Sequence, residues 1–483
     1  MNRRSVLFAA VIAVIFMFSA SARAEIWFAN LQPVQEVPVS GTSATGWARV
    51  VLNESAGTIA FTVVFNNLSS NQVASHIHCC AAIGANGPVI INFGVVGGTS
   101  GMITGTAAIT PAQVTSIRQH LAYVNVHSAN FPNGEIRGQL GGKRPVDFDG
   151  DGETDLSVVR WTTNNPPAGP MQFYNLNSTS GFQAIGPFGE ASTDLPQPGD
   201  YDGDGKDDIC VFRRTATIGA DTYFYLIKSS DGTFQAVRWG VVGPVLDGTV
   251  TDIPIPRDYD GDGRTDMAVF RPGAAAGQRA YWYYRSTRNG FAQVSIPWGT
   301  TGDGSFTFDI PVPGDYDGDG KCDVAVYRFG MVPTNNFIVL KSSDGTAQFA
   351  QWGNFQTDWI VPGDYDGDGK CDFAIARRMA APTDPLIWWI RRSSDGATFV
   401  KNWGLSGTNG DVPVQGDYDG DARTDIAIYR RGASTGLQSY FWVVNSLSGN
   451  GTATPFGLGS VDQGTPPYPN YFRDYPLADF DTR

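Results

Sequence analysis

The stretch DYDGDGKCD stands at 315–323 and again at 364–372, with four aspartates in nine residues each time. Carboxylates this close repel one another unless a cation sits among them. Variants stand at 147–155 (DFDGDGETD), 200–208 (DYDGDGKDD), 258–266 (DYDGDGRTD) and 417–425 (DYDGDARTD). Aspartate holds positions 1, 3, 5 and 9 of every copy. The six sets are Asp147, Asp149, Asp151 and Asp155; Asp200, Asp202, Asp204 and Asp208; Asp258, Asp260, Asp262 and Asp266; Asp315, Asp317, Asp319 and Asp323; Asp364, Asp366, Asp368 and Asp372; and Asp417, Asp419, Asp421 and Asp425. Alternating carboxylates at 1, 3 and 5 can wrap one centre, glycine at 6 permits left-handed backbone, and position 7 can add its carbonyl. Hard oxygen donors in this order suit Ca2+, about one ion per loop. Ala422 takes position 6 of the last loop. A left-handed backbone there costs a non-glycine residue roughly 1–2 kcal/mol, so this site is expected to be the weakest.

The loops resemble the first half of an EF-hand loop. They lack a glutamate at position 12, and strand-like apolar residues follow position 9, so a helix–loop–helix setting is not expected. Positions 1, 3, 5 and 9 of the loops hold 24 of the 47 acidic residues, which makes the acidity of the chain largely a demand for cations. Its sign disfavours nucleic acid and anionic membranes as partners.

A second constellation precedes residue 128, where all four histidines lie. His76 and His78 are two apart, on one side of a strand. His127, at the end of YVNVH, meets them if the two strands pair. Three imidazoles would suit Zn2+ or Cu2+, with Cys79, Cys80 or Glu135 as further ligands. The alternative is a hydrogen-bonded cluster that fixes the following loop, with Cys79 and Cys80 joined as a vicinal disulfide. Residues 147–483 contain no histidine and only two glutamates, Glu153 and Glu190, which leaves little for acid–base catalysis.

The elements that must carry the acidic loops are strands. Loop starts are spaced by 53, 58, 57, 49 and 53 residues. After each loop comes an apolar run ending in arginine (Arg160, Arg213, Arg271, Arg328, Arg377, Arg430), then an aromatic run, an aromatic–glycine pair and a segment like DIPVPGD. About four short β-branched and aromatic runs per unit predict the blades of a β-propeller. Six blades are expected, with a seventh built from both termini as the alternative.

These units resemble the FG-GAP/VCBS repeat family, whose integrin-like members are propellers with calcium in such loops. The resemblance covers about 147–483. It implies packing and inter-blade roles for the arginines and Trp-Gly pairs, with a sugar-binding aromatic platform as the alternative. Residues 25–141 resemble the CHRD domain through LQPVQEVP (31–38), HIH (76–78), GANGPV (84–89), YVNVH (123–127) and NGEIRGQL (133–140). That resemblance implies a β-sandwich or barrel-like fold and no general activity. One short helix is expected after Thr110.

Residues 1–24 have the basic start, apolar run and small-residue end (ARA) of a secretory signal peptide. Their removal takes away three arginines and no acid, which moves the formal net charge from −13 to −16. No later run is long enough to span a membrane. The expected organisation is all-β: signal peptide 1–24, CHRD-like domain 25–141, linker 142–146 and propeller 147–483. The expected function is that of an exported calcium-binding interaction protein that presents loops to a protein or glycan. The alternative is a metalloenzyme with a His-ligated copper or zinc centre and the propeller as targeting module. Oligomeric state is not readable.

Overall fold

A computed structural model describes residues 25–477 apart from 54–55, 82–83, 119–120, 142–145, 162, 165–166, 179, 216, 243–251, 274, 276, 302–308, 329–335, 355, 407–410, 434–435 and 460–473. The expected signal peptide, most of the expected linker and residues 478–483 lie outside the described residues.

The first part is built of β1 (Glu25–Leu31), β2 (Thr45–Asn53), β3 (Thr58–Asn66), β4 (Gln72–Cys79), β5 (Val89–Asn92), β6 (Gly101–Ala108), β7 (Ala122–Ser128) and β8 (Ile136–Gln139). Strands β2 and β3 alternate buried and partly exposed residues along their length, as the alternation of TGWARVVLN and TIAFTVVFN requires. Two four-stranded sheets result, in the orders β1-β2-β3-β6 and β5-β4-β7-β8. Between them lies one apolar cluster that includes Leu31, Val50, Phe65, Ile77, Val124 and Ile136. Bridges Phe28–Gly141 and Gln32–Arg137 seam the sheets at one edge, so this sandwich is partly closed toward a barrel. The helix, α1 (Pro111–Arg118), starts where TPAQ places it. The Gln113 N–H donates to Thr110 Oγ1 (3.3 Å) and the Thr110 N–H to Gln113 Oε1 (2.9 Å), a reciprocal cap.

The second part is six four-stranded antiparallel sheets among the described residues. In the second blade the strands are Asp194–Pro196, Ile209–Arg213, Asp221–Ile227 and Phe234–Val241. The first two are mostly buried and the fourth largely exposed, which puts the first strand inside and the fourth outside. The first blade draws on both ends of this part. Asp474–Pro476 pairs with Leu156–Arg160, Tyr475 opposite Val159. The C-terminal strand therefore completes blade 1 as its inner strand, and the seventh-blade alternative falls away. Apolar residues of blade 6 (Val412, Val414, Tyr429, Phe441) share a cluster with Val158 and Phe173 of blade 1 and Val211 of blade 2, which closes the ring.

Of the packing and inter-blade roles expected for the arginines, five of the six show packing within their own blade. Arg213, Arg271, Arg328, Arg377 and Arg430 each form a two-pronged ion pair with the aspartate that opens the inner strand of the same blade. These partners are Asp194, Asp252, Asp309, Asp358 and Asp411. Arg213, Arg271 and Arg430 also lie over Tyr225, Tyr283 and Trp442 of the third strand. The Trp-Gly pairs do reach between blades: the indole N–H groups of Trp298, Trp352 and Trp403 donate to Ile338, Trp389 and Trp442 carbonyls on the next blade.

Candidate metal centres

Five of the acidic loops join the first and second strands of their blade, the first loop leads into the second strand of blade 1 only, and each is organised by its own carboxylates. In the fourth loop, Asp315 at position 1 accepts the N–H groups of Gly318 (2.6 Å) and Gly320 (2.9 Å) on its two oxygens. Asp323 at position 9 accepts from Tyr316 N (2.8 Å) and from Ser342 N (2.6 Å) on the outer hairpin. Glycine at position 6 has positive φ in the first five loops, and Ala422 has φ +71° in the sixth. The strain expected at Ala422 is therefore present. Tyrosine at position 2 also has a purpose: Tyr201, Tyr259, Tyr316, Tyr365 and Tyr418 each donate their hydroxyl to the carbonyl four residues earlier.

Carboxylate oxygens converge within 4.8 Å at Asp147, Asp149 and Asp155; Asp200, Asp202 and Asp208; Asp258, Asp260 and Asp262; and Asp315, Asp317 and Asp323. Two further groups of metal-ligand residues exist among the described residues. Position 3 spends one oxygen on the outer hairpin, as where Ser286 Oγ donates to Asp260 Oδ2 (2.6 Å). The other oxygen, Oδ1, of Asp260, Asp366 and Asp419 is buried without a hydrogen-bond partner. A buried carboxylate oxygen with no donor is costly unless a cation meets it. Burial first, and neighbouring aspartates second, push Asp155, Asp266 and Asp419 up to about 8. Desolvation, with Asp366 beside it, takes Asp372 to about 7. These residues fit a divalent cation with hard oxygen preference.

The loops also form a ring. The N–H at position 8 of each loop donates to the position 1 carbonyl of the loop before: Asp207 to Asp147, Thr265 to Asp200, Cys322 to Asp258, Cys371 to Asp315, Thr424 to Asp364 and Thr154 to Asp417, at 2.6–2.8 Å. Close approach here requires small neighbours; a Cβ on Gly314 would come within 2.9 Å of Cys371 Sγ. Position 7 leans on the preceding loop as well. Lys206 covers Gly150 and Lys321 covers Gly261. Across the closing seam the residue at position 7 is Glu153, which burial, then Asp151, Asp417 and Asp419, push well above the carboxylate range.

The sandwich rests on this end of the propeller. Phe28 lies against Gly152 and Gly205, the position 6 glycines of the first two loops. Arg49 Nη2 donates to the Asp204 carbonyl (3.4 Å) and Gln32 Nε2 to that of Asp419 (3.3 Å).

The three histidines come together as the pairing of β4 with β7 dictates: His76 faces Asn125, His78 faces Tyr123 and Ala74 faces His127. Their side chains share the face away from the core, since Ile77, Val124 and Val126 fill the other. His76 Nδ1 lies 3.0 Å from His127 Nε2. His78 stacks on Tyr123 with ring centres 4.7 Å apart, and Arg137 lies over that same tyrosine. Desolvation first, then His127 and His78, push His76 down to about 4. Desolvation also lowers His78 and His127.

The other proposed ligands are elsewhere. Cys79 and Cys80 form the vicinal disulfide, and Glu135 binds the Ser69 N–H (2.7 Å) and hydroxyl (3.1 Å). Glu36, which sequence reasoning missed, is buried beside Gly134 and reaches Asn125. Burial, against the pull of Arg137, raises it to about 7. Its place in LQPVQEVP carries no spacing signal toward the histidines.

Comparison with known families agrees with both halves. Residues 27–140 match the CHRD domain, and residues 147–211, 200–269 and 258–326 match the FG-GAP-like repeat. The chain thus carries a CHRD domain followed by FG-GAP-like repeats. The matched repeats take in the first four acidic loops, and the remaining two repeat their sequence pattern and strand order. No curated protein matches the chain. Among the described residues no helix is long and apolar enough to cross a membrane.

Proposed function

We propose that this protein is an exported binding protein whose six-bladed propeller is loaded with about one Ca2+ per acidic loop and recognises an extracellular protein or glycan. The observation that carries the reading is the repeated convergence of aspartate oxygens in the loops, with the Oδ1 atoms of Asp260, Asp366 and Asp419 buried and lacking hydrogen-bond partners. Ca2+ takes six to eight oxygen ligands at 2.3–2.6 Å, which such loops can supply from carboxylates and backbone carbonyls. The CHRD domain and FG-GAP-like repeats support an extracellular setting. Residues 1–24 supply the export signal on this reading.

Topology suggests where a partner binds. Strands alternate in direction, so the acidic loops and the outer hairpins share one end of the ring, part of it covered by the sandwich. The connections at the other end differ from blade to blade, as between Val241 and Ile253 against Gln351 and Asp358. Variable loops on a rigid frame are where recognition is usually carried. The test is elemental analysis of the chain purified without chelator. Five or six calcium per chain is expected, and little calcium after equilibration at millimolar Ca2+ would overturn the reading. Calcium-dependent capture on glycan and extracellular-protein arrays then identifies the partner class.

A further inference from the structure

The strand pairing assembles a second centre of different chemistry. The His78 Nδ1 lies 2.8 Å from the Gly87 carbonyl and the His127 Nδ1 lies 2.9 Å from that of Pro132. A carbonyl oxygen can only accept, so both Nδ1 atoms carry the proton and both neutral rings offer a bare lone pair at Nε2. These lone pairs point into the same space. One nitrogen from each of His76, His78 and His127 lies within 4.8 Å of the other two. His78 Nε2 is buried without a well-formed hydrogen bond, the Asn125 amide being its polar neighbour. His127 Nε2 lies 3.0 Å from His76 Nδ1 and 2.9 Å from Asn125 Oδ1; with its proton on Nδ1 the ring can only accept there, so the Asn125 amide turns its NH2 group to His127. Backbone carbonyls that hold the far nitrogen of a ring, fixing its tautomer and aim, are the usual outer support of a metal-ligating histidine.

We propose that His76, His78 and His127 bind one Zn2+ or Cu2+ ion per chain, as a site separate from the calcium loops. Imidazole selects these ions over Ca2+, which prefers oxygen. Among the described residues no cysteine, aspartate or glutamate joins the three rings in the group, so three nitrogens are the protein's donors. Three protein ligands leave a coordination position for solvent or a small ligand, the open form of such a site.

The experiment uses the full chain held in millimolar Ca2+, so that the acidic loops are filled, and titrates Zn2+ and Cu2+ separately. Uptake is followed by equilibrium dialysis, with calcium measured in the same samples. One equivalent of added metal at unchanged calcium content is expected, with affinity at least tenfold weaker in His78→Gln and His127→Gln. The Cu2+ form of the unmutated chain is read by electron paramagnetic resonance, where coupling to imidazole nitrogens is expected; this arm stands even if a variant fails to fold. No stoichiometric uptake at micromolar free metal, a copper spectrum without nitrogen coupling, or unaltered uptake in both folded variants would each overturn the proposal. Calcium displacement equal to the metal gained would place the ion in the loops and overturn it as well.

Discussion

Glu36 offers a prediction with a definite sign. It is 4% exposed and raised from 4.5 to about 7, burial outweighing the attraction of Arg137. Between these values the folded chain holds a proton on Glu36 that the unfolded chain has released. The proton difference, unfolded minus folded, is therefore negative, and stability falls as pH rises. The contribution is fully present below pH 4.5 and lost as pH passes through about 7. At 1.36 kcal/mol per pKa unit the loss is on the order of 3 kcal/mol. His76, His78 and His127 pull the other way, because each is held neutral in the fold and takes up a proton on unfolding. The Glu36 contribution is isolated by comparing the native chain with Glu36→Gln. Hydrogen–deuterium exchange of peptides spanning 122–139, corrected for intrinsic rates, reports the opening energy of this sheet from pH 4.5 to 8. The difference between the two proteins should change by about 3 kcal/mol across the window, the native chain losing ground toward high pH. A difference that stays flat, or runs the other way, would refute a buried, proton-holding Glu36.

Other outcomes follow from the propeller. Ala422→Gly should raise the calcium affinity of the last loop severalfold, because an empty loop can relax a left-handed strain of roughly 1–2 kcal/mol that the filled loop must keep; titration calorimetry showing no gain would mean that the empty loop carries the same strain and would refute a weakened sixth site. Arg328→Leu leaves Asp309 buried with its backbone donor alone. It should cost about 2–3 kcal/mol, somewhat under the loss for a fully buried pair because Arg328 is partly exposed, as a urea midpoint would show. Chelation should lower the melting temperature, because each filled site adds about 2.7 kcal/mol at a hundredfold excess over its Kd; an unchanged transition in EDTA would contradict calcium loading. Deleting residues 474–483 removes the inner strand of blade 1 and bares the edge of Leu156–Arg160, so aggregation during refolding is expected in light scattering.

Much of this molecule could be read from residue spacing. The repeat of DYDGDG placed the loops, and the strand-like runs between them placed the blades, because every unit restates the same pattern. The pairing of His76 and His78 with His127 was legible only as a condition, since a two-residue alternation gives a face and not a partner strand. What stayed hidden depends on neighbours distant in sequence. The position 8 N–H that binds the preceding loop looks like any other residue, with Asp207, Thr265 and Cys322 all serving. The arginine pairs did leave a trace: Asp194 and Arg213, Asp252 and Arg271, Asp309 and Arg328 are each 19 residues apart. That constant interval exceeds any local contact and would have suggested a cross-strand pair.

The place where the ring is cut determines where its companion lands. Leu477 donates its N–H to Ser157, as Val312 does to Ala325 in the fourth blade. In this register Leu477 corresponds to Val312 and Val146 to Gly314, so a single residue would splice the end of the propeller to its beginning. The propeller is a circular sequence opened between an inner strand and an acidic loop. Its CHRD partner enters through that opening, which is why Phe28 and Gln32 meet the first, second and sixth loops and not the fourth. Moving the cut by one repeat would leave the wheel intact and turn the passenger to another position on the dial. Which loops stay uncovered is thus set by connectivity, and a permuted chain could uncover any chosen pair.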